Sequence, residues 1–129
     1  MMSVARISFA LLLAGTLSVL AQTGTPDMRG DAFAMQGGEA VYRGVCQGCH
    51  MADAKGAAGA GFYPALASNP RLAGTGYVLS MIIRGHKGMP PFGAQFSNQQ
   101  IADVANYVRS HFGNHARDQV KPADVQAAR

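Results

Sequence analysis

The hydrophobic positions beyond residue 96 repeat with a helical period. Ile101, Val104, Ala105, Val108 and Phe112 fall three or four apart, the stripe of an amphipathic helix with one buried face. Ser97 ahead of it and Gln100 three residues later form a capping box, and Gly113 offers a C-terminal stop. A second stripe, Val78, Leu79, Ile82 and Ile83, predicts a helix from Thr75 or Gly76 to Arg84 with Gly85 as its C-cap. A third begins at Gly37 or Gly38 and carries Ala40, Val41 and Val45. Gly38 and Tyr42 stand four apart on its face, and a small residue beside an aromatic lets another helix cross closely there. The first and last of these helices are predicted to cross.

The stretches between the stripes read differently. Met51 to Gly61 is an Ala/Gly-rich loop, and Phe62-Tyr63-Pro64-Ala65-Leu66 brings aromatic packing and a backbone fixed by proline. Gly88-Met89-Pro90-Pro91-Phe92 is a rigid extended loop, because each proline disfavours helix in the residue before it. Gln22 to Gln36 has no clean period and reads as a loose lead-in that Phe33 tacks to the domain. The residues after Gly113 carry mixed charge and no core pattern, which predicts a peripheral or mobile tail. At the start, Arg6 precedes a 14-residue apolar run from Ile7 to Leu20, with Ala21 as a small residue before Gln22. That is the form of a secretory signal peptide. The run is short of the roughly 20 residues that span a bilayer, so cleavage is expected and a retained anchor is the alternative. The predicted organisation is therefore 1–21 signal peptide, 22–36 lead-in, 37–113 domain and 114–129 tail.

At 129 residues, with 48% hydrophobic and 14% charged positions, 16 Gly, 6 Pro and no Trp, the chain holds one loop-rich domain. So small a domain builds no large core unaided. Loss of Arg6 with the signal leaves 10 basic against 7 acidic residues, a formal +3 in place of +4. No Arg/Lys block or aromatic interleaving accompanies that charge, and no nucleic-acid partner is expected.

Cys46-Gln47-Gly48-Cys49-His50 changes the picture. On a helix Cys46, Cys49 and His50 stand at i, i+3 and i+4, on one face. Two thiols there can bond to the two vinyl groups of a haem while His50 reaches the iron, the reading given to C-x-x-C-H. A thioredoxin-like dithiol requires a strand-helix-strand context, and none precedes the motif. A zinc site requires a fourth ligand and usually a second cysteine pair, and these are the only cysteines. A structural disulfide across two residues closes a small, strained loop. One haem c, held covalently by Cys46 and Cys49, is the expected cofactor, and it supplies the apolar filling that the short chain lacks.

A His-bound iron leaves one axial position, whose occupant separates electron transfer from ligand chemistry. Met89 lies in the proline-stiffened loop 39 residues beyond His50, long enough to cross the ring and pre-positioned by Pro90 and Pro91. Met51 is adjacent to His50 and cannot reach the opposite face, Met28 and Met35 lie in the lead-in, and Met81 falls within a helix as a packing residue. His86 is the rival, expected instead near the propionates or exposed. His111 and His115 read as surface residues.

Taken together, Cys46-x-x-Cys49-His50, Gly38 and Tyr42 before it, Pro64, Gly88-Met89-Pro90, and Val104 with Tyr107 in the closing helix resemble a class I c-type cytochrome over roughly residues 37–113. The resemblance implies an all-α fold of three to five helices around one haem. It implies that the Pro64 carbonyl accepts a hydrogen bond from His50 Nδ1–H. Tyr42, Leu66, Ile82 and Phe92 are expected to pack on the haem. More narrowly, Cys49-His50-Met51-Ala52-Asp53-Ala54-Lys55-Gly56, Tyr63-Pro64-Ala65-Leu66 and Asn106-Tyr107-Val108-Arg109 are similar to a haem domain of the cytochrome subunits serving periplasmic alcohol and aldehyde dehydrogenases. Those subunits carry several haem motifs and this chain one. The expected function is a soluble periplasmic one-electron carrier without a stable membrane anchor, and not itself an enzyme. It accepts electrons from a periplasmic dehydrogenase and passes them to an oxidase or another cytochrome. The alternative is a catalytic or gas-binding haem protein with an open sixth position, and a remoter one is a thiol-disulfide oxidoreductase. Lys55, Arg71, Arg84 and Lys87 flank the stretches expected around the haem. Either they form a basic rim that steers an acidic partner, or one or two neutralise propionates and the rest are solvated, and Met51, Ala57, Ala58 and Phe92 are the alternative, apolar contact.

Overall fold

Gly38 decides how the first and last helices meet. A Cβ there would fall on the Asp103 carbonyl and 2.6 Å from Tyr107 Cβ, so a glycine is what lets the two backbones cross. The structure, a computed structural model, describes residues 34–129. The predicted signal peptide, Phe33 and the first part of the lead-in lie outside the described residues.

The opening helix is continuous but not uniform. α1, Gly38–Val41, runs into a π-helical turn, Tyr42–Cys46, and then into α2, Gln47–His50. The Gln47 N–H reaches the Tyr42 carbonyl five residues back, and the joints keep right-handed helical dihedrals. After it come a two-stranded hairpin, a 3₁₀ turn at Pro70–Ala73, α3 at Thr75–Arg84, α4 at Asn98–Ser110 and α5 at Pro122–Ala128. The predicted capping box stands at the head of α4: Gln100 N–H donates to Ser97 Oγ at 3.1 Å and Ser97 N–H to Gln100 Oε1 at 3.0 Å. α3 ends where predicted, at Gly85.

α1 lies across α4, and α4 also meets α3 and α5. Val41, Tyr42, Ile101, Val104, Ala105 and Val108 are buried at the centre. The Tyr42 ring stands 4.9 Å from Phe112 and 5.6 Å from Tyr107. Apart from the short hairpin and one isolated bridge, His86–Met89, the regular elements among the described residues are helices joined by loops, consistent with an all-α class.

Three expectations are corrected. The Ala/Gly-rich stretch is not plain loop: β1, Ala57–Ala58, pairs antiparallel with β2, Phe62–Tyr63. Two paired residues per strand give no face long enough to lie on the core, and Phe62 is left 79% exposed, so the aromatic packing expected of it does not form. The tail after Gly113 is not peripheral. Val120 and Val125 are buried, and α5 packs on α3 and α4. Asn106 exchanges two hydrogen bonds with the Val120 backbone, at 2.9 and 2.8 Å, and Arg129 reaches the Gly93 and Phe96 carbonyls and Asn98. The lead-in is not loose to its end either. Met35 packs against the core with its sulfur over Gly44, and its carbonyl accepts from Gln100 Nε2 at 3.1 Å.

Candidate haem site

His50 closes α2 and is 8% exposed. Its Nδ1–H donates to the Pro64 carbonyl at 2.9 Å, which fixes the tautomer and leaves the Nε2 lone pair as the ring's remaining donor to a metal. The backbone just beyond is held as firmly. Met51 takes a positive φ of 66° to end the helix, and its carbonyl accepts from Tyr42 Oη at 2.8 Å. Burial first, and then the neighbouring Cys46 and Tyr107, push the Tyr42 phenol up to about 12, so it stays a neutral donor at physiological pH.

His50 lines a cleft of about 240 Å³ together with Cys46, Pro64, Leu66, Ile82 and Met89, and Val104 and Val108 of α4 also face it. Met89 arrives on a tight turn: its N–H donates to the His86 carbonyl and its carbonyl accepts from the His86 N–H, both at 3.0 Å. Phe92 N–H to Ile82 and Gly93 N–H to Ile83, at 2.9 and 3.2 Å, pin the far side of that turn to α3. His86 itself is exposed and does not line the cleft. Met81 does, with Arg71 and Tyr77.

Other predicted residues lie elsewhere. Cys49 is exposed beside the cleft. Tyr42 is buried behind it rather than in its wall, turned toward Tyr107 and Phe112. Phe92 stacks on Phe96 at 5.4 Å and does not line the cleft. In both cases the ring packs on another aromatic, Tyr42 on residues of and just beyond α4 and Phe92 on a residue of its own loop. The basic rim thins as well. Lys55 pairs with Asp53 at 3.3 Å, while Arg84 keeps its charge and donates to the Ala128 carbonyl at 2.9 Å, Arg71 lines the cleft and Lys87 is exposed.

The donor set fits a haem. An oriented imidazole and a thioether share one apolar-walled cleft with the first cysteine of the motif, and Cys46 and Cys49 form no disulfide. Burial pushes the Cys46 thiol up to about 11, the opposite of the lowered value a reactive dithiol requires. Among the described residues no three His, Cys, Asp or Glu side chains are grouped to hold a metal ion, so the zinc reading finds no further ligands.

A family model for cytochrome c oxidase, cbb3-type, subunit III, matches residues 33–108. The chain belongs to this family of c-type haem domains. It therefore carries a covalently bound haem c. The domain is 36% identical over 92 residues to the fructose dehydrogenase cytochrome subunit of Gluconobacter japonicus, covering 60% of this chain and 19% of that protein. It is 33% identical over 108 residues to the gluconate 2-dehydrogenase cytochrome c subunit of Pantoea cypripedii, covering 73% and 24%. It is 32% identical over 105 residues to the alcohol dehydrogenase (quinone) cytochrome c subunit of Gluconacetobacter polyoxogenes, covering 71% and 22%. The haem domain thus spans about a fifth to a quarter of the length of these relatives.

Three residues that shape the domain were given no structural role from the sequence, although Arg109 stands in a segment that carries the family likeness. Arg109 is buried in α4 and donates to the Leu72 and Ala73 carbonyls and to Asp118. Asn114 is buried and ties Asn69 N–H, the Leu66 carbonyl and the Val108 carbonyl together at 2.8–2.9 Å. For Arg109 a signal existed, since it stands four residues after Ala105 on the edge of the apolar stripe. For Asn114 and Asp118 there was none, because both lie beyond the periodic segment. Among the described residues no helix is long and apolar enough to cross a membrane.

Proposed function

We propose that this haem domain is a periplasmic one-electron carrier, with its haem attached through Cys46 and Cys49 and the iron ligated by His50 and Met89. The observation that carries the reading is that Met89 and His50 reach one cleft from separate elements while His86, the rival ligand, stays outside it. When bound, the haem supplies a reversible one-electron couple at iron. The chain's own residues set the conditions. Pro64 orients His50, the His86–Met89 turn presents the thioether, and Leu66, Ile82 and Val104 keep water from the cleft. Arg71 at the cleft supplies positive charge for a propionate.

The domain so defined covers 37–113 and is completed by 114–129, whose valines share its core. A signal peptide at 1–21 delivers it to the periplasm. The donor is a periplasmic dehydrogenase and the acceptor an oxidase or another cytochrome. The relatives' names, each a cytochrome subunit of a dehydrogenase, support the donor.

The test is ligation. The ferric protein should show the weak far-red charge-transfer band of iron–thioether coordination, and Met89→Ala should abolish it, lower the potential and open the iron to carbon monoxide. His86→Ala should leave all three as they were. Rapid carbon monoxide binding by the wild-type protein, with no far-red band, would replace the carrier with an open-site haem protein.

A further inference from the structure

Two glycines with left-handed backbone stand next to the two proposed axial ligands. Gly56, at φ 69°, packs so closely on β2 that a Cβ would fall on the Tyr63 carbonyl and come within 2.8 and 2.9 Å of Pro64 C and O. That Pro64 oxygen is the acceptor for His50 Nδ1–H, and the Gly56 N–H itself donates to the His50 carbonyl at 3.1 Å. Gly85, at φ 68°, repeats the arrangement on the other ligand: a Cβ would fall on the Met89 carbonyl and 2.8 Å from Pro90 C and Pro91 N. That Met89 oxygen is the acceptor for the His86 N–H. In each case the neighbour is backbone, which cannot swing aside as a flexible side chain does, and in each case the carbonyl is already in use.

We propose that Gly56 and Gly85 are positioning residues for the two axial ligands, each setting, by the absence of a Cβ, the carbonyl that fixes its ligand. The inference rests on the ligation proposed above. It assigns the two glycines effects of opposite sign. A carbonyl that accepts from Nδ1–H raises the basicity of the ring as a ligand, which favours ferric iron. Moving Pro64 away weakens that bond, so the potential should rise. Moving Met89 away weakens the thioether bond, which favours ferrous iron relative to water or imidazole, so the potential should fall.

Gly37 separates this effect from general backbone strain. It has φ 82° with nothing within 4 Å of a built Cβ, so Gly37→Ala carries the conformational penalty without the contact. The haem-loaded protein should be compared as wild type, Gly37→Ala, Gly56→Ala and Gly85→Ala. The readings are the potential, the far-red band and hydrogen exchange of the His50 ring N–H by NMR in the ferrous state. Gly56→Ala should raise the potential, speed that exchange and keep the band. Gly85→Ala should weaken the band and lower the potential by at least a tenfold change in equilibrium constant, 59 mV for a one-electron couple. Gly37→Ala should lose stability and leave all three readings alone. Where an alanine variant fails to mature, asparagine at the same position tolerates the left-handed backbone but keeps the Cβ, and it should reproduce the same signs. Asparagine variants with wild-type readings, or shifts of one sign at both glycines, would overturn the proposal. A wild type without the far-red band defeats the ligation itself, whereas a normal band with inert glycines defeats only the positioning.

Discussion

Arg109, 1% exposed, holds both carboxylate oxygens of Asp118 at 2.8 Å. The same guanidinium donates to the carbonyls of Leu72 at 2.9 Å, Ala73 at 3.1 Å and Asp118 at 3.2 Å. One side chain thus joins α4, the 3₁₀ turn that borders the cleft, and the tail. The charge is buried at the guanidinium and exposed at the carboxylate, which satisfies the forked donor without desolvating both partners.

That pair gives the domain a pH dependence. The hydrogen bonds from Arg109, and then from Thr75, hold the Asp118 carboxyl below the usual carboxylate range. A group whose folded value is depressed contributes stability that is present above its unfolded value, about 3.9. The contribution is lost as pH falls through the lower folded value. Urea midpoints of wild type and Asp118→Asn should therefore differ at pH 7 and converge below pH 4. A constant gap across that range would assign the loss to something other than the charge.

The thioether bonds are directly testable. Haem should stay with the polypeptide through acid-acetone extraction and through denaturing electrophoresis with haem staining. Cys46→Ala or Cys49→Ala should leave at most one linkage and a poorly matured protein. Haem lost from the wild-type chain under those conditions would sink covalent attachment at these cysteines.

The helix crossing is a second target. Gly38→Ala should destabilise by about 1–3 kcal/mol or more, the range for forcing extra atoms into a packed contact, because the Asp103 backbone lies in the way. Gly76→Ala in α3 meets nothing within 4 Å and should instead stabilise by up to about 1 kcal/mol through helix propensity. Thermal melts of the two variants should move in opposite directions.

The tail should behave as core. Val125 is 0% exposed, so Val125→Ala should cost about 2 kcal/mol from lost burial and the cavity left behind. A melt unchanged by this substitution would return residues 114–129 to the role of a dangling appendage.

What was legible in the sequence followed from local rules. The capping box at Ser97 and Gln100, the stripes of α3 and α4, and the Gly38 crossing each need only residues close in the chain and one periodic face. Ile82 lies in the stripe of α3 and Met89 in the proline-stiffened loop, and both line the cleft; Leu66, which lines it too, came with the family likeness. Pro64 beside His50 came with the family likeness and not from the spacing. The rest depended on partners that pattern does not name. The rings of Tyr42 and Phe92 pack on Phe112 and Phe96, contacts that the helical spacing does not specify. Val120 precedes α5 and Val125 is the one buried residue within it, so the two make no stripe; Asn106 bonds the Val120 backbone and Arg129 ties the end of α5 to Asn98, polar residues that periodicity counts as surface.

The π-helical turn Tyr42–Cys46 lets the opening helix carry one extra residue without changing its course. A wider turn holds one residue more than the regular helix would, so it acts as a single-residue insertion between the face that crosses α4 and the motif that meets the cleft. Remove one residue from 43–45 and the turn closes to ordinary pitch, with Cys46 and His50 keeping nearly the same angle to Gly38, because the wide turn absorbs its extra residue locally. Within the turn only the exposed Arg43 is free of further demands: Tyr42 is held by its burial, Gly44 by the Met35 sulfur above it and Cys46 by the proposed haem bond. Relatives should therefore vary at position 43 and keep the other three.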